Sequence, residues 1–149
     1  MAGHDETAAA LRVSGDDLDP DEVTEILGHK PDWSYRKGET RVSRRTGEVI
    51  RDADGRQPVW RTGVWGLRVE RRHPADLEAQ IWELLRLVSD DITVWDKLND
   101  KYSIDVFCGW FMHRSNDGLS VTPPLLHALG ERGVTLDLDV YAPLEDDDE

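Results

Sequence analysis

The stretch LRVSGDDLDPDEVTEILG, residues 11–28, contains a strand, a turn and a short helix in direct succession. Apolar and polar residues alternate at its start, which is typical of a half-buried strand. Asp19 stands before a proline and Gly28 follows the last apolar residue of the helical pattern. These two residues are predicted to cap the helix at its N- and C-terminal ends, with Glu22 as the capping-box partner of Asp19.

The aspartates of this stretch, Asp16, Asp17 and Asp19, raise the question of a metal site. An EF-hand loop needs a glycine at its sixth position and a glutamate at its twelfth. Here Pro20 interrupts the acidic run and no glycine stands at the sixth position. We therefore interpret the aspartates as turn and cap residues, and we expect neither a metal nor another cofactor.

A similar pattern returns near the end of the chain, where Thr122 precedes a proline and Gly130 follows a leucine. These residues are predicted to cap a helix within residues 123–133. The likeness to residues 11–28 has two explanations at this point. It reflects either the common pattern of helix ends or an internal duplication.

The order of the remaining patterns predicts the fold class. We expect weak hairpin strands at 31–37, 41–45 and 48–51, a strand at 64–69, helices at 74–88 and 92–101, and strands at 103–112 and 134–141. This order favours an α+β fold with helices packed on one face of a mostly antiparallel sheet, in a ferredoxin-like or duplicated βαβ arrangement. The segment SIDVFCGWFM, 103–112, is apolar on both faces in its second half, which places it near the middle of the sheet.

The length of 149 residues suits one domain. We expect a disordered N-terminus at residues 1–8, a single α+β domain at 9–142 and an acidic tail at 143–149. No apolar run reaches the roughly 18 residues of a membrane span, and no signal peptide is recognisable. The single cysteine suits a reducing compartment, so the expected location is the cytoplasm.

The charge is strongly acidic and unevenly distributed. The net charge of −13 argues against nucleic acid as a partner and is compatible with a basic protein. Residues 36–72 nevertheless hold eleven Lys and Arg against five Asp and Glu, a net +6. This basic segment either neutralises acidic helices of the same domain or forms a patch for an anionic ligand.

The clearest candidate binding residues lie in PDWSYRKGE, 31–39. Trp33, Tyr35, Arg36 and Lys37 combine aromatic and basic side chains beside a glycine turn, a composition typical of binding hot spots. The same pattern also fits an ordinary hairpin with Trp33 in the core.

Asp137 and Asp139 form a second candidate group on the last strand. Side chains two positions apart on a strand lie about 7 Å apart on one face. The pair is either a working carboxylate pair or the solvent face of an edge strand. A small enzyme or anion-binding domain would need these two residues and Arg36 and Lys37 in one cleft.

Several segments together resemble one bacterial family: SGDDLDPDEVTEILG at 14–28, GVWGLRV at 63–69 and GLSVTPPLLHALGERGVTLDLDVY at 118–141. It is a domain-of-unknown-function family with an SG..LDP....LG opening and an LDLDIY-like closing strand. The resemblance implies a small soluble bacterial protein and supplies no catalytic residue. It is compatible with a binding or immunity role.

The hypothesis that fits these patterns best is a non-enzymatic protein-binding module, such as an immunity or regulatory partner. The chain lacks a phosphate-binding glycine loop and a nucleophile elbow, and Cys108 has the pattern of a buried residue. The alternatives are a small enzyme or ligand-binding domain that uses the basic hairpin, and an oligomeric structural module. No membrane partner is expected.

Overall fold

The computed structural model describes residues 4–43 and 45–143. Its elements follow in the order β1 (Glu6–Gly15), α1 (Pro20–Leu27), β2 (Trp33–Tyr35), β3 (Gly63–Arg68), α2 (Leu77–Leu87), α3 (Ile92–Asn99), β4 (Ser103–Phe111), α4 (Pro123–Glu131) and β5 (Thr135–Tyr141). The prediction of an acidic tail lies outside the described residues from position 144 onwards.

The five strands form one sheet in the order β2-β3-β1-β4-β5. The β4–β5 pair is parallel and the other pairs are antiparallel. The first four strands therefore have the ferredoxin-like order, and α4 with β5 extends it by one parallel strand. The α+β prediction is confirmed, in its ferredoxin-like version. The two similar helices lead to strands in different positions, since β2 is separated from β1 by β3 whereas β5 pairs directly with β4.

Strand β1 lies at the centre of the sheet, between β3 and β4, and its residues from Glu6 to Val13 alternate between two environments. Leu11 and Val13 are fully buried. In register, Leu11 lies between Leu67 of β3 and Val106 of β4. One face of the sheet thus forms the floor of the hydrophobic core.

All four helices contribute to the core on this face. Their buried hydrophobic residues are Val23, Leu27, Leu77, Ile81, Leu84, Leu85, Trp95, Leu98, Leu125, Ala128 and Leu129. The two largest buried side chains also have their polar atoms satisfied, as buried indoles require. Trp65 donates its Nε1 hydrogen to Thr24 Oγ1 at 3.0 Å, and Trp95 donates to the Ser89 carbonyl at 2.8 Å.

The ends of α1 depend on local and tertiary contacts. Asp19 is the N-cap residue and accepts a hydrogen bond from the Asp21 amide at 3.0 Å, while Gly28 ends the helix with φ 76°. Glu22 does not act as expected from the capping box. Its carboxylate instead accepts hydrogen bonds from Lys101 Nζ and the Tyr102 hydroxyl, which ties α1 to the end of α3. This tertiary ion pair corrects the prediction for Glu22.

The ends of α4 also differ from the sequence pattern. Thr122 is the N-cap residue, but its hydroxyl makes no cap hydrogen bond and donates to Glu78 at 3.0 Å. Gly130 lies inside the helix, which continues to Glu131. The left-handed residue is Gly133, with φ 65°, so the C-cap prediction for Gly130 is wrong.

The ordered part of the chain begins earlier than the sequence suggested. Strand β1 starts at Glu6, and Thr7 is fully buried, where it donates a hydrogen bond to Gln80 at 2.6 Å. Residues 6–8 therefore belong to the domain. Residues 1–3 lie outside the described part of the chain.

The hairpin region is less regular than predicted. Strand β2 has three residues. At the expected strands 41–45 and 48–51, of which position 44 lies outside the described residues, the structure has the isolated bridges Thr40–Val59 and Val42–Val49. Polar side chains and glycine turns dominate the segment 36–62. Its aliphatic residues Val42, Val49, Ile50 and Val59 remain exposed. Across the described ranges, no helix is long and apolar enough to cross a membrane.

The central position of β1 predicts the effect of truncating its core residues. We expect Leu11→Ala to lower the free energy of unfolding by about 3 kcal/mol, because it opens a cavity between two paired strands and the helices. The matched control is Leu126→Ala, at a side chain that is 51% exposed, with an effect within about 0.5 kcal/mol. Urea unfolding measures both, and equal losses would contradict the assignment of β1 as the core strand.

Candidate functional site

The sheet has a second face, opposite the helices, which we call the open face. Its residues are those that alternate with the core positions: Arg12 on β1, Trp33 and Tyr35 on β2, Val64, Gly66 and Arg68 on β3, Asp105, Phe107 and Phe111 on β4, and Asp137, Asp139 and Tyr141 on β5. The strands therefore bring together charged and aromatic side chains that are distant in the sequence.

An ion pair lies at the centre of the open face. Arg12 and Asp105 occupy directly paired positions of β1 and β4. Arg12 Nε donates to Asp105 Oδ1 at 2.9 Å and Nη2 donates to Oδ2 at 2.6 Å. The Asp105 side chain is only 19% exposed. This two-point geometry fixes the guanidinium in the plane of the carboxylate.

Asp137 adds a second carboxyl group to this ion pair. Three effects raise the pKa of Asp137: its hydrogen bond with Asp105, partial desolvation and the negative charge of Asp105. The positive charge of Arg12 lowers that pKa and so acts in the opposite direction. Burial alone would raise the pKa of Asp105, but the hydrogen bonds from Arg12 and Asp137 outweigh it and hold that pKa below its usual value. When both carboxyls are ionised, two negative charges share one arginine. The cluster is then suited to accept a further positive charge.

Arginine and aromatic side chains alternate around this cluster. Pairs in which a guanidinium lies over an aromatic ring include Arg12 over Phe107 at 4.4 Å, Arg68 over Trp33 at 4.6 Å and Arg71 over Phe111 at 4.5 Å. Such cation–π contacts hold the rings and the charges in fixed positions.

Trp33 can lie flat on the sheet because its partner in β3 is a glycine. Gly66 is the register partner of Trp33. A Cβ atom at Gly66 would lie 2.1 Å from the indole ring. The glycine thus leaves the space that the tryptophan occupies.

The aromatic and basic residues line shallow grooves on the open face. A groove of about 610 Å³ is lined by Trp33, Arg68, Phe107 and Phe111 among others. A neighbouring groove of about 340 Å³ is lined by Arg12, Trp33, Tyr35 and Asp105 among others. Both grooves lie on the open face and are lined by polar and aromatic side chains.

The open face contains some of the candidate residues but not all of them. Trp33, Tyr35, Asp137 and Asp139 share it. Arg36 and Lys37 instead pair with the turn that leads into α1, Arg36 with Asp19 at 2.9 Å and Lys37 with Asp16 at 3.5 Å.

The expected cleft of Arg36, Lys37, Asp137 and Asp139 is therefore not formed. Arg12 is the basic residue that faces Asp137. Four of the eleven basic residues of the segment 36–72 pair with acidic groups elsewhere in the domain, in the pairs Arg36–Asp19, Lys37–Asp16, Arg71–Glu6 and Arg72–Glu83.

Two further candidates are held by aromatic neighbours. Tyr35 stacks on Trp60, with ring centroids 3.6 Å apart and nearly parallel planes. Asp139 accepts a hydrogen bond from the Tyr141 hydroxyl at 2.5 Å, which raises the pKa of Tyr141. Tyr141 in turn stacks on Phe111 at 4.7 Å.

Sequence reasoning missed Arg12, Asp105 and Phe107 as site residues. The available signal was the apolar character of both faces of SIDVFCGWFM, which suggested a covered interior strand. Strand β4 does lie inside the sheet, between β1 and β5, but its second apolar row contributes Phe107 and Phe111 to the open face.

The remaining reactive side chains do not form a second site. Cys108 is fully buried, and desolvation raises the pKa of its thiol to about 12. Within 4–43 and 45–143, no group of His, Cys, Asp and Glu side chains is arranged to hold a metal ion.

Comparison with known proteins gives a family but no annotated relative. The model of a family described as a domain of unknown function, DUF4279, matches residues 5–143. This match confirms the resemblance to a domain-of-unknown-function family. No curated protein and no solved structure matches the chain.

The contact between Gly66 and Trp33 gives a testable pair of substitutions. We expect Gly66→Ala to lower the free energy of unfolding by about 1–3 kcal/mol, because the new methyl group displaces the indole. Gly130→Ala is the matched control, at a helical position with no atom within 4 Å of the added Cβ. It should stabilise the protein by up to about 1 kcal/mol. Chemical unfolding measures both, and a shared sign would contradict this interpretation.

The raised pKa of Asp137 gives a pH-dependent prediction. Its contribution to stability is complete below the unfolded-state pKa of about 3.9 and is lost as the pH rises through the raised folded-state pKa. Asn retains a neutral side chain at every pH, so we expect Asp137→Asn to be more stable than wild type at pH 7.

The advantage of Asp137→Asn should disappear below about pH 3, where Asp137 is mostly protonated in both states. Urea unfolding across this range measures the difference. The same substitution made in an Asp105→Asn background is the control, and there the gain at pH 7 should vanish. A pH-independent gain would contradict the coupling of the two carboxyls.

Proposed function

Because the chain belongs to the DUF4279 family, a domain of unknown function, we propose its function from its own surface: it is a non-enzymatic module that binds a basic protein through the open face. The observation that carries the proposal is the acidic cluster of the open face, where Asp105 is hydrogen-bonded to Arg12 and Asp137 lines the same hollow as Asp105 without an ion pair to that arginine. A lysine or arginine of the partner that reaches Asp137 completes the charge balance of this cluster.

Charge supports a basic partner over an acidic one. The whole chain carries a net charge of −13, which attracts a basic protein over long distances and speeds association. Asp137 is exposed, so an incoming cation reaches it without rearrangement of the sheet. Asp105 is held in place by its hydrogen bonds from Arg12. Asp105 in turn positions the carboxyl group of Asp137 through their hydrogen bond.

The aromatic residues support a protein as the ligand. Tryptophan, tyrosine and arginine are the residues most enriched in interface hot spots. Here Trp33, Tyr35 and Arg68 lie beside the charged cluster, with Arg68 held over Trp33. Their packing in the free protein keeps the entropic cost of binding low, because the side chains are already ordered.

The chemistry of the face favours binding over catalysis. The acidic side chain at its centre, Asp105, is fixed in a two-point ion pair, and the thiol of Cys108 is buried beneath the sheet. An immunity or regulatory protein of the bacterial cytoplasm is the role we propose for such a module.

A second candidate function is the binding of an anionic small molecule in the 610 Å³ groove. The observation that favours it is the exposed guanidinium of Arg68, which makes no ion pair with the described residues. Thermal shift assays with aromatic carboxylates and phosphates test it, with Arg68→Gln as the control. A ligand that stabilises wild type but not this variant would support it.

The protein-binding proposal is tested by comparing captured proteins among three baits: wild type, Asp137→Arg and Glu25→Arg. Both substitutions add the same charge, but Glu25 is an exposed residue of α1 on the helical side. We expect a basic protein to be captured by wild type and Glu25→Arg and to be lost from Asp137→Arg. The purified pair should then bind more weakly as ionic strength rises.

Two results would contradict this function. One is a captured set that is the same for all three baits. The other is a partner that is lost from Asp137→Arg but carries a net negative charge.

A further inference from the structure

Strand β5 is an edge of the sheet, and it is long, exposed and apolar on one side. We propose that β5 is the docking edge for an extended basic segment of the partner, which adds to the sheet as a sixth strand with alternating basic and apolar side chains. This inference rests on the proposed function and specifies how the basic partner is recognised.

The main chain of β5 is hydrogen-bonded to another strand along only one of its two edges, within the described part of the chain. Its parallel pairing with β4 uses the side to which the Tyr141 carbonyl points, since that carbonyl accepts a hydrogen bond from the Met112 amide at 3.0 Å. Successive residues of a strand direct their main-chain groups to opposite edges. Leu136, Leu138 and Val140 therefore direct their amides and carbonyls away from the sheet.

Within the described part of the chain, these outward main-chain groups have no backbone partner. Such a row of donors and acceptors is a template for another strand. Peptide recognition by strand addition uses this kind of edge, with main-chain hydrogen bonds for affinity and alternating side chains for specificity.

The side chains of β5 differ between its two faces. On the helical side, Leu138 and Val140 are 44% and 45% exposed, and Leu126 of the adjacent helix α4 is 51% exposed. Asp137 and Asp139 lie on the same strand, with their side chains on the open face. A complementary strand thus needs apolar side chains on the helical side and positive charges on the open side.

The aspartates make a second copy of this chain an unfavourable occupant. Two β5 strands could pair antiparallel with full overlap of their seven residues. Asp137 of each copy would then lie directly opposite Asp139 of the other copy. Like charges in directly opposed positions destabilise a strand pair. Positively charged residues in those positions would instead have their Cβ atoms about 5 Å from those of the aspartates, which favours ion pairs across the two strands.

The residues that follow β5 add to this preference. Five of the eight positions after the strand are acidic, because residues 145–149 read EDDDE. These charges increase the long-range attraction of the chain for a positively charged segment.

A synthetic peptide tests the inference directly. The probe is the capped heptapeptide Lys-Val-Lys-Leu-Lys-Val-Lys, which matches the seven residues of β5 and has the same alternation in either direction. We expect it to bind wild type and to shift the amide NMR signals of Leu136, Leu138 and Val140. The matched heptapeptide with glutamate in place of lysine should not bind.

Two N-methylated versions of the peptide separate strand addition from simple charge attraction. In one, the Val and Leu amides are methylated, and in the other the central Lys amides are methylated. An added strand uses only one of these two sets of amides. One version should therefore bind about tenfold more weakly or worse, while the other keeps its affinity. The affected version reveals whether the added strand is antiparallel or parallel.

The Asp137→Arg variant distinguishes failure of this inference from failure of the proposed function. If that variant loses peptide binding but both methylated peptides bind wild type equally well, strand addition is overturned and the proposed function stands. If Asp137→Arg binds the peptide as well as wild type does, the charge basis of the proposed function falls.

An unmethylated peptide that fails to bind at millimolar concentration also overturns strand addition. In that case the three-bait capture decides the proposed function separately.

Discussion

The two-residue period of β1 is the constraint on which the rest of the structure depends. This strand pairs with β3 on one side and with β4 on the other, so the direction of its side chains decides which face of the sheet is buried. Leu11 and Val13 face the helices and are fully buried, while Arg12 between them faces the open side. A shift of one residue in register would exchange these environments and place a guanidinium in the core. The core and the candidate site are therefore fixed by the same alternation.

The open face is ordered in its free state by contacts between its own residues. Arg12 is held by Asp105 and also lies over Phe107, so one side chain joins the charged and aromatic parts of the surface. The partial burial of Asp105 strengthens this ion pair relative to one in water. A face of this kind presents its binding groups in fixed positions, which is the property that a protein interface requires.

The proposed open-face contact and the proposed edge contact describe one recognition event. Asp137 belongs to both, since it lies beside Asp105 on the open face and on the outermost strand of the sheet. A basic strand along β5 would place its charges at Asp137 and Asp139 and bring the rest of the partner over the aromatic residues. The apolar residues Leu138 and Val140 would then be covered from the helical side.

The sequence by itself determined the helices, the main strands and the α+β class, because these follow from local periodicity and from residues such as Asp19 and Gly28 that control chain direction. It also placed Cys108 in the core. Only the tertiary structure decided that Glu22 binds Lys101 in place of the helix end, and that Arg12 and Asp105 meet. The physical reason is that such pairs depend on strand order and register, which join residues far apart in the chain, whereas periodicity reports only on neighbours.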